Sequence, residues 1–223
     1  CSAIGVAGMS WGVNLMPVKV LTACINSPGD CCGNSADLSE GIIWAADHGA
    51  DVINISLEFK LTQQASITAL QSAVNYAHDS GVLLVAATGN DDFCSNSLPP
   101  ANDTVCFPAR LTNVLAVTAT DNSDAFSTFS NYGYEVDVAA PGQDIRSTSL
   151  NGSYASVSGT SFAAPHVAGL AALIKSYVPD LTNDQIEEVI EISAEDRGAP
   201  GWDDHFGSGR INAHLALLAA AQI

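Results

Sequence analysis

The stretch Gly159-Thr160-Ser161-Phe162-Ala163-Ala164-Pro165-His166-Val167-Ala168-Gly169 joins a hydroxyl nucleophile to the start of a helix. A serine in the first turn of a helix sits at the positive end of its peptide dipoles, where an oxyanion is stabilised. Gly159 lets a substrate backbone approach closely, and Pro165 is expected to lie early enough in the helix to be tolerated. Alone, Gly-Thr-Ser marks no more than a capped buried helix. The pattern is not the Gly-x-Ser-x-Gly elbow of esterase-type hydrolases, because Ala163 stands where the last glycine belongs. A second candidate is Asn90, at the end of Val85-Ala86-Ala87-Thr88-Gly89-Asn90. A side-chain amide at the carboxyl edge of a parallel sheet can point into a ligand crevice, although Gly-Asn alone reads as a turn. The histidines 48, 78, 166, 205 and 214 read as structural or surface residues: two end helices, one lies beyond Ser161 on its helix, and two fall near the C-terminus.

These groups need a scaffold, and the apolar pattern predicts one. Short apolar runs at 15–21, 52–55, 82–86, 114–118 and 136–139 read as strands covered on both faces. Between the first two, residues 38–48 carry Leu38, Ile42 and Ala45 at helical spacing; between the next two, Ile67, Leu70, Val74 and Ala77 do the same. Such alternation implies right-handed crossovers and a doubly wound, mostly parallel α/β sheet with helices on both faces. Residues 161–177 form an Ala/Gly-rich helix, Thr182 with Gln185 makes a capping box for another, and a last helix starts near Asn212. With no repeat or linker, residues 1–223 read as one domain. Run 15–21 is apolar on both sides and needs neighbouring strands, so the first strands of the sheet are expected to be missing.

Composition narrows the function classes. Seven Lys+Arg against 24 Asp+Glu give 7 − 24 = −17, a surface that repels phosphate backbones and anionic lipids. Nucleic acid and membrane are therefore not expected partners, and no run reaches the length of a membrane span. Six cysteines without C-x-x-C spacing argue for disulfides and an oxidising, extracellular setting rather than zinc. Cys94 and Cys106 flank one Pro/Asn-rich loop and are expected to pair; no pairing follows for Cys1, Cys24, Cys31 and Cys32. Asn102 and Asn151 lie in glycosylation sequons.

At full length the 159–169 stretch resembles the nucleophile motif of the subtilisin-like serine peptidases, and the likeness continues along the chain. It implies Ser161 as the nucleophile and Asn90 as the oxyanion-hole residue. Residues 51–57 are similar to the family's substrate-binding strand, which implies substrate contacts at Ser56, Leu57 and Glu58, with Gly89 and Gly33 beside them. Phe107-Pro108-Ala109 resembles a loop with a cis proline, and 207–212 the entry to the final helix. Two features depart from the pattern. The family orders its triad Asp, His, Ser, and this sequence opens just after the segment that holds the histidine, so the chain alone is expected to be inactive. Glu58 stands where the family usually has glycine, which suggests a preference for basic or polar substrate side chains.

The resemblance implies a secreted serine endopeptidase acting on polypeptides through an acyl-enzyme. It further implies a monomer with an N-terminal propeptide in its precursor, no catalytic cofactor, and calcium as a structural ion. One calcium loop would begin around residues 2–6, and no ligands are assigned to it. The alternative is a binding or scaffold protein that keeps the fold without the triad.

Overall fold

The computed structural model describes residues 5–23, 31–91, 93–94 and 104–223. Four parallel strands form its centre, in the order β3 (Val52–Ile55), β4 (Leu83–Ala87), β5 (Leu115–Thr120) and β6 (Val138–Pro141), with two short antiparallel strands β1 (Thr22–Ala23) and β2 (Cys31–Cys32) preceding them. Successive strand residues face opposite sides, and each side has its own core. Leu83, Val85, Ala87, Leu115, Val117 and Ala119 pack against α3 (Thr160–Tyr177), α4 (Asn183–Ile192) and α5 (Ala213–Ala220). Leu84, Ala86 and Ala116 face α1 (Ser35–Asp47) and α2 (Gln64–Asp79). Helices thus cover both faces, as the apolar runs predict.

Most caps are local. Asn34 accepts two backbone N–H groups at the start of α1, Thr182 and Gln185 form the capping box of α4, and Asn212 accepts Leu215 N–H at α5. The observed strands lie within two residues of the expected ones for β3 to β6.

Run 15–21 is the exception. It forms no strand, and among the described residues nothing pairs with the free edge of β3. Leu15 is 88% exposed, and Met16 and Val18 are exposed as well. Only its end is held: Val20 and Val18 lie over Gly41 of α1, where an added Cβ would fall 2.5 Å from Val20 Cγ1. Apolar character reports which side chains bury when covered, and it cannot supply the ladder partner that makes a strand. A hairpin of β7 (Ile145–Thr148) and β8 (Tyr154–Val157), turning through Asn151-Gly152 at φ 58° and 70°, precedes α3; Asn-Gly is its sequence signal.

Cys94 and Cys106 are disulfide-bonded with α-carbons 5.4 Å apart, as expected. Cys32 is also in a disulfide. Cys1, Cys24, Asn102 and residues 2–4 of the expected calcium loop lie outside the described residues. Phe107–Pro108 is cis, as the resemblance implies.

Candidate active site

Three segments meet at the carboxyl end of the sheet: residues 56–58 after β3, residues 88–90 after β4, and the first turn of α3. α3 is capped differently from its neighbours. Its N-cap is Gly159, at φ 151°, whose carbonyl accepts Phe162 N–H at 3.0 Å but which has no side chain to accept Thr160 N–H. Asn90 does so from 70 residues away: its Oδ1 accepts Thr160 N–H at 2.9 Å and Thr160 Oγ–H at 3.2 Å. A backbone N–H only donates, so the Asn90 atom facing it is the oxygen. The Asn90 NH2 group remains as a donor, and the Glu58 carboxylate accepts one hydrogen bond from the Asn90 side chain.

Ser161 is the second residue of α3, and its N–H has no acceptor among the described residues. The open Ser161 N–H, the Asn90 NH2 with one proton still to give, and a hydroxyl therefore converge where helix dipoles favour negative charge. Pro165 falls just beyond the first turn, and α3 continues through it to Tyr177, so it is tolerated as expected. Lacking N–H, it leaves the Ser161 carbonyl without its helical donor. Ser56 Oγ–H donates to that carbonyl at 2.8 Å, while Ser161 Oγ lies 3.4 Å from the Ser56 carbonyl. The result is a two-way clasp between the end of β3 and the nucleophile.

Glu58 turns inward. Its Oε2 accepts Asn90 N–H at 2.9 Å and lies 3.9 Å from Cys106 Sγ, a disulfide sulfur with no proton to give. Burial pushes the Glu58 carboxyl above the usual glutamate range; the Asn90 N–H draws it back, the Asp91 charge raises it again, and a hydrogen bond from the Asn90 side chain lowers it. Gly89, at φ 102°, has no room for a side chain: a Cβ would stand 2.6 Å from Cys106 Sγ, 2.7 Å from Asn131 Nδ2 and 2.8 Å from Glu58 Oε2. Among the described residues nothing takes the backbone N–H or C=O of Leu57. Gly33 is not brought into this group by any contact; it follows β2 and faces Leu21 and the Val20 carbonyl.

The histidines are engaged elsewhere or stand apart. His166 Nδ1 meets the Phe162 carbonyl at 2.7 Å, His48 the Trp44 carbonyl, His78 the Asp184 carboxylate and His205 the Asp204 carboxylate. Among the described residues no histidine or carboxylate contacts Ser161 Oγ.

Two interactions escape sequence reasoning. The Ser56–Ser161 clasp spans 105 residues, and its only local hint is a proline inside a helix. The Glu58–Asn90 bond had one signal, a carboxylate in place of glycine.

A third grouping lies away from this corner. Carboxylate oxygens of Asp137, Glu187 and Glu191 lie within 4.8 Å of one another. Burial pushes Asp137 up to about 8 against the opposing Ala116 N–H bond, with Glu187 and Glu191 adding repulsion. Burial and the nearby Glu191 and Asp184 charges raise Glu187 to about 7.

Comparison with known proteins agrees with this geometry. Residues 2–209 match the Subtilase family. The chain is 41% identical over 216 residues to the thermophilic serine proteinase of Bacillus sp. (strain AK1), covering 97% of this chain and 48% of that protein. It is 39% identical to subtilisin BL of Lederbergia lenta, covering 96% of this chain and 72% of that one. Among solved structures, a protease of Pseudoalteromonas arctica PAMC 21717 superposes with a TM-score of 0.79 at 34% identity, over 97% of this chain and 66% of that one. The chain spans about half the length of several relatives it matches, 48%, 51% and 54% of three of them. Among the described residues no helix is long and apolar enough to cross a membrane.

Proposed function

The chain belongs to the subtilase family, and from that premise we propose that it carries the nucleophile and oxyanion site of a secreted serine endopeptidase. Ser161 Oγ attacks a peptide carbonyl and forms an acyl-enzyme, which water then hydrolyses. The serine proton passes to a histidine oriented by an aspartate, both supplied by a segment that the family places before the part matched here. The Asn90 NH2 and the Ser161 N–H receive the oxyanion. The substrate lies extended along Ser56, Leu57 and Glu58, pairing with the open backbone of Leu57, with Gly89 beside it and Gly33 further along.

The observation that carries this reading is the long-range cap: Asn90 spends its carbonyl on the N–H of Thr160, the neighbour of Ser161, and keeps its NH2 as a donor at this corner. An ordinary helix cap needs no partner from another strand. The donor pair has a catalytic use, which favours a peptidase over a scaffold that merely keeps the fold.

The test compares this chain with a form extended N-terminally by the triad segment. The extended form is expected to label at Ser161 with a fluorophosphonate and to cleave peptides. The 223-residue chain is expected to turn over more slowly by about 10⁴–10⁶-fold, the scale known for loss of triad members in subtilisin itself. Ser161→Ala should abolish labelling. Peptide turnover by the shorter chain at an ordinary enzymatic rate would mean that a local base exists.

A further inference from the structure

Asn90 is held at several points. Its side-chain carbonyl is fixed by Thr160, and its backbone pairs with Ser130 as an isolated bridge, Asp91 N–H meeting the Phe129 carbonyl at 2.8 Å. A further hold is the Glu58 carboxylate, which accepts the Asn90 N–H and also bonds the Asn90 side chain; it is the hold made by a charged side chain. Glu58 is itself set in place. The next residue, Phe59, exchanges two backbone hydrogen bonds with Phe107, at 2.9 and 3.2 Å, and Cys106 N–H meets the Thr88 carbonyl. The Gly89 Cα provides the floor on which the carboxylate lies.

We propose that Glu58 is a positioning residue of the oxyanion site, its carboxylate holding the Asn90 backbone so that the Asn90 NH2 meets the developing oxyanion. The proposal rests on the peptidase reading for its catalytic consequence and on geometry for the contact. A hydrogen bond to an ionised group is stronger than a neutral one. Oxyanion donors act only when fixed beforehand, because a donor that must reorganise in the transition state gives up part of its effect. A glutamate in a substrate pocket and a glutamate behind the oxyanion residue predict different kinetics. The first changes which substrates are preferred; the second lowers turnover for all of them.

Amide exchange in the 223-residue chain tests the contact without any need for activity. Glu58→Ala should speed exchange at Asn90 by about tenfold, the size of a charge-assisted hydrogen bond, and leave Leu115 and Val117 of β5 unchanged. Glu58→Gln keeps an acceptor at the same reach and should restore most of the protection. If Glu58→Ala fails to fold, Glu58→Asp serves, since it keeps the charge and withdraws it by one methylene. Unchanged exchange at Asn90, or equal loss at Asn90 and in β5, overturns the inference. In the triad-extended form, kcat should fall about tenfold or more for substrates with Lys and with Leu before the scissile bond, with KM nearly constant. A change in the Lys-to-Leu ratio instead makes Glu58 a specificity residue and overturns the positioning role. An inactive extended wild type overturns the peptidase reading and leaves the exchange result to decide the contact.

Discussion

At the carboxyl ends of β3 and β4, residues 56–58 and 88–90 are bonded to one another and to α3 from several directions. Residues 13–21 are comparably apolar, yet Val13, Leu15, Met16 and Val18 stand exposed and no ladder includes them. The difference does not lie in hydrophobicity. In the first region Ser56, Glu58 and Asn90 all have partners from distant segments, whereas the second region forms no ladder and meets its surroundings through Val18, Val20 and Leu21, at Gly41 and Gly33. Burial stabilises a strand once its N–H and C=O groups are satisfied, and an apolar run without partners stays outside the sheet.

The sharpest way to break the ordered side is Gly89→Ala. The methyl would enter a space bounded by a disulfide sulfur, the Asn131 amide and the Glu58 carboxylate, all closer than 3 Å, at a φ of 102°. Neither the disulfide nor the strand can retreat freely, so we expect a loss of about 2–4 kcal/mol in stability. Denaturant unfolding measures it. A loss below about 1 kcal/mol would show that this corner yields more easily than its contacts imply.

That corner also marks the limit of what sequence reading reached. Strands β3 to β6 and the helices beside them follow from apolar periodicity, because each is buried on the faces the pattern names. Ser161 and Asn90 are singled out by the likeness to the family, because Gly-Thr-Ser and Gly-Asn alone read as a helix cap and a turn. The Glu58–Asn90 bond and the Ser56–Ser161 clasp join residues 32 and 105 positions apart, and no local pattern encodes such pairs. Run 15–21 was misplaced for the opposite reason: its local pattern is clear, and its partners are what is lacking. Gly33 was assigned through the likeness alone, and no contact in the described residues brings it to Ser161.

A second prediction sharpens the contrast between satisfied and unsatisfied burial. Asp137 accepts the Ala116 N–H but faces Glu187 and Glu191. Its folded pKa of about 8 lies above the unfolded value near 3.8, so the folded state binds the proton more tightly. The stabilisation is full below about pH 4 and is lost as pH rises towards 8; Glu187, raised to about 7, acts in the same direction. Asp137→Asn keeps an acceptor for Ala116 and cannot ionise. It should therefore exceed the parent in stability at pH 8 to 9 by at least about 1 kcal/mol, or roughly 2–4 °C in Tm. The advantage should shrink or reverse at pH 5. A Tm difference independent of pH would place the cost of this cluster elsewhere.

The smallest expected effect tests the exposed side of the comparison directly. Leu15 is 88% exposed and Leu115 is 0% exposed, so the same truncation should register very differently at the two. Burying a leucine and then deleting it leaves a cavity, and such changes cost about 2–5 kcal/mol. Leu15 has little burial to lose, and Leu15→Ala should stay within about 0.5 kcal/mol of the parent. Leu15→Lys should be equally mild in stability while slowing association, because charge on an exposed apolar run opposes edge-to-edge pairing. Urea midpoints together with light scattering at rising concentration distinguish the two effects. A loss above about 1 kcal/mol at Leu15→Ala would mean that residues 13–21 are covered in solution, by a second copy or by another segment. In that case the exposed run is an interface and not an unpaired end, and its apolar pattern was right about burial after all.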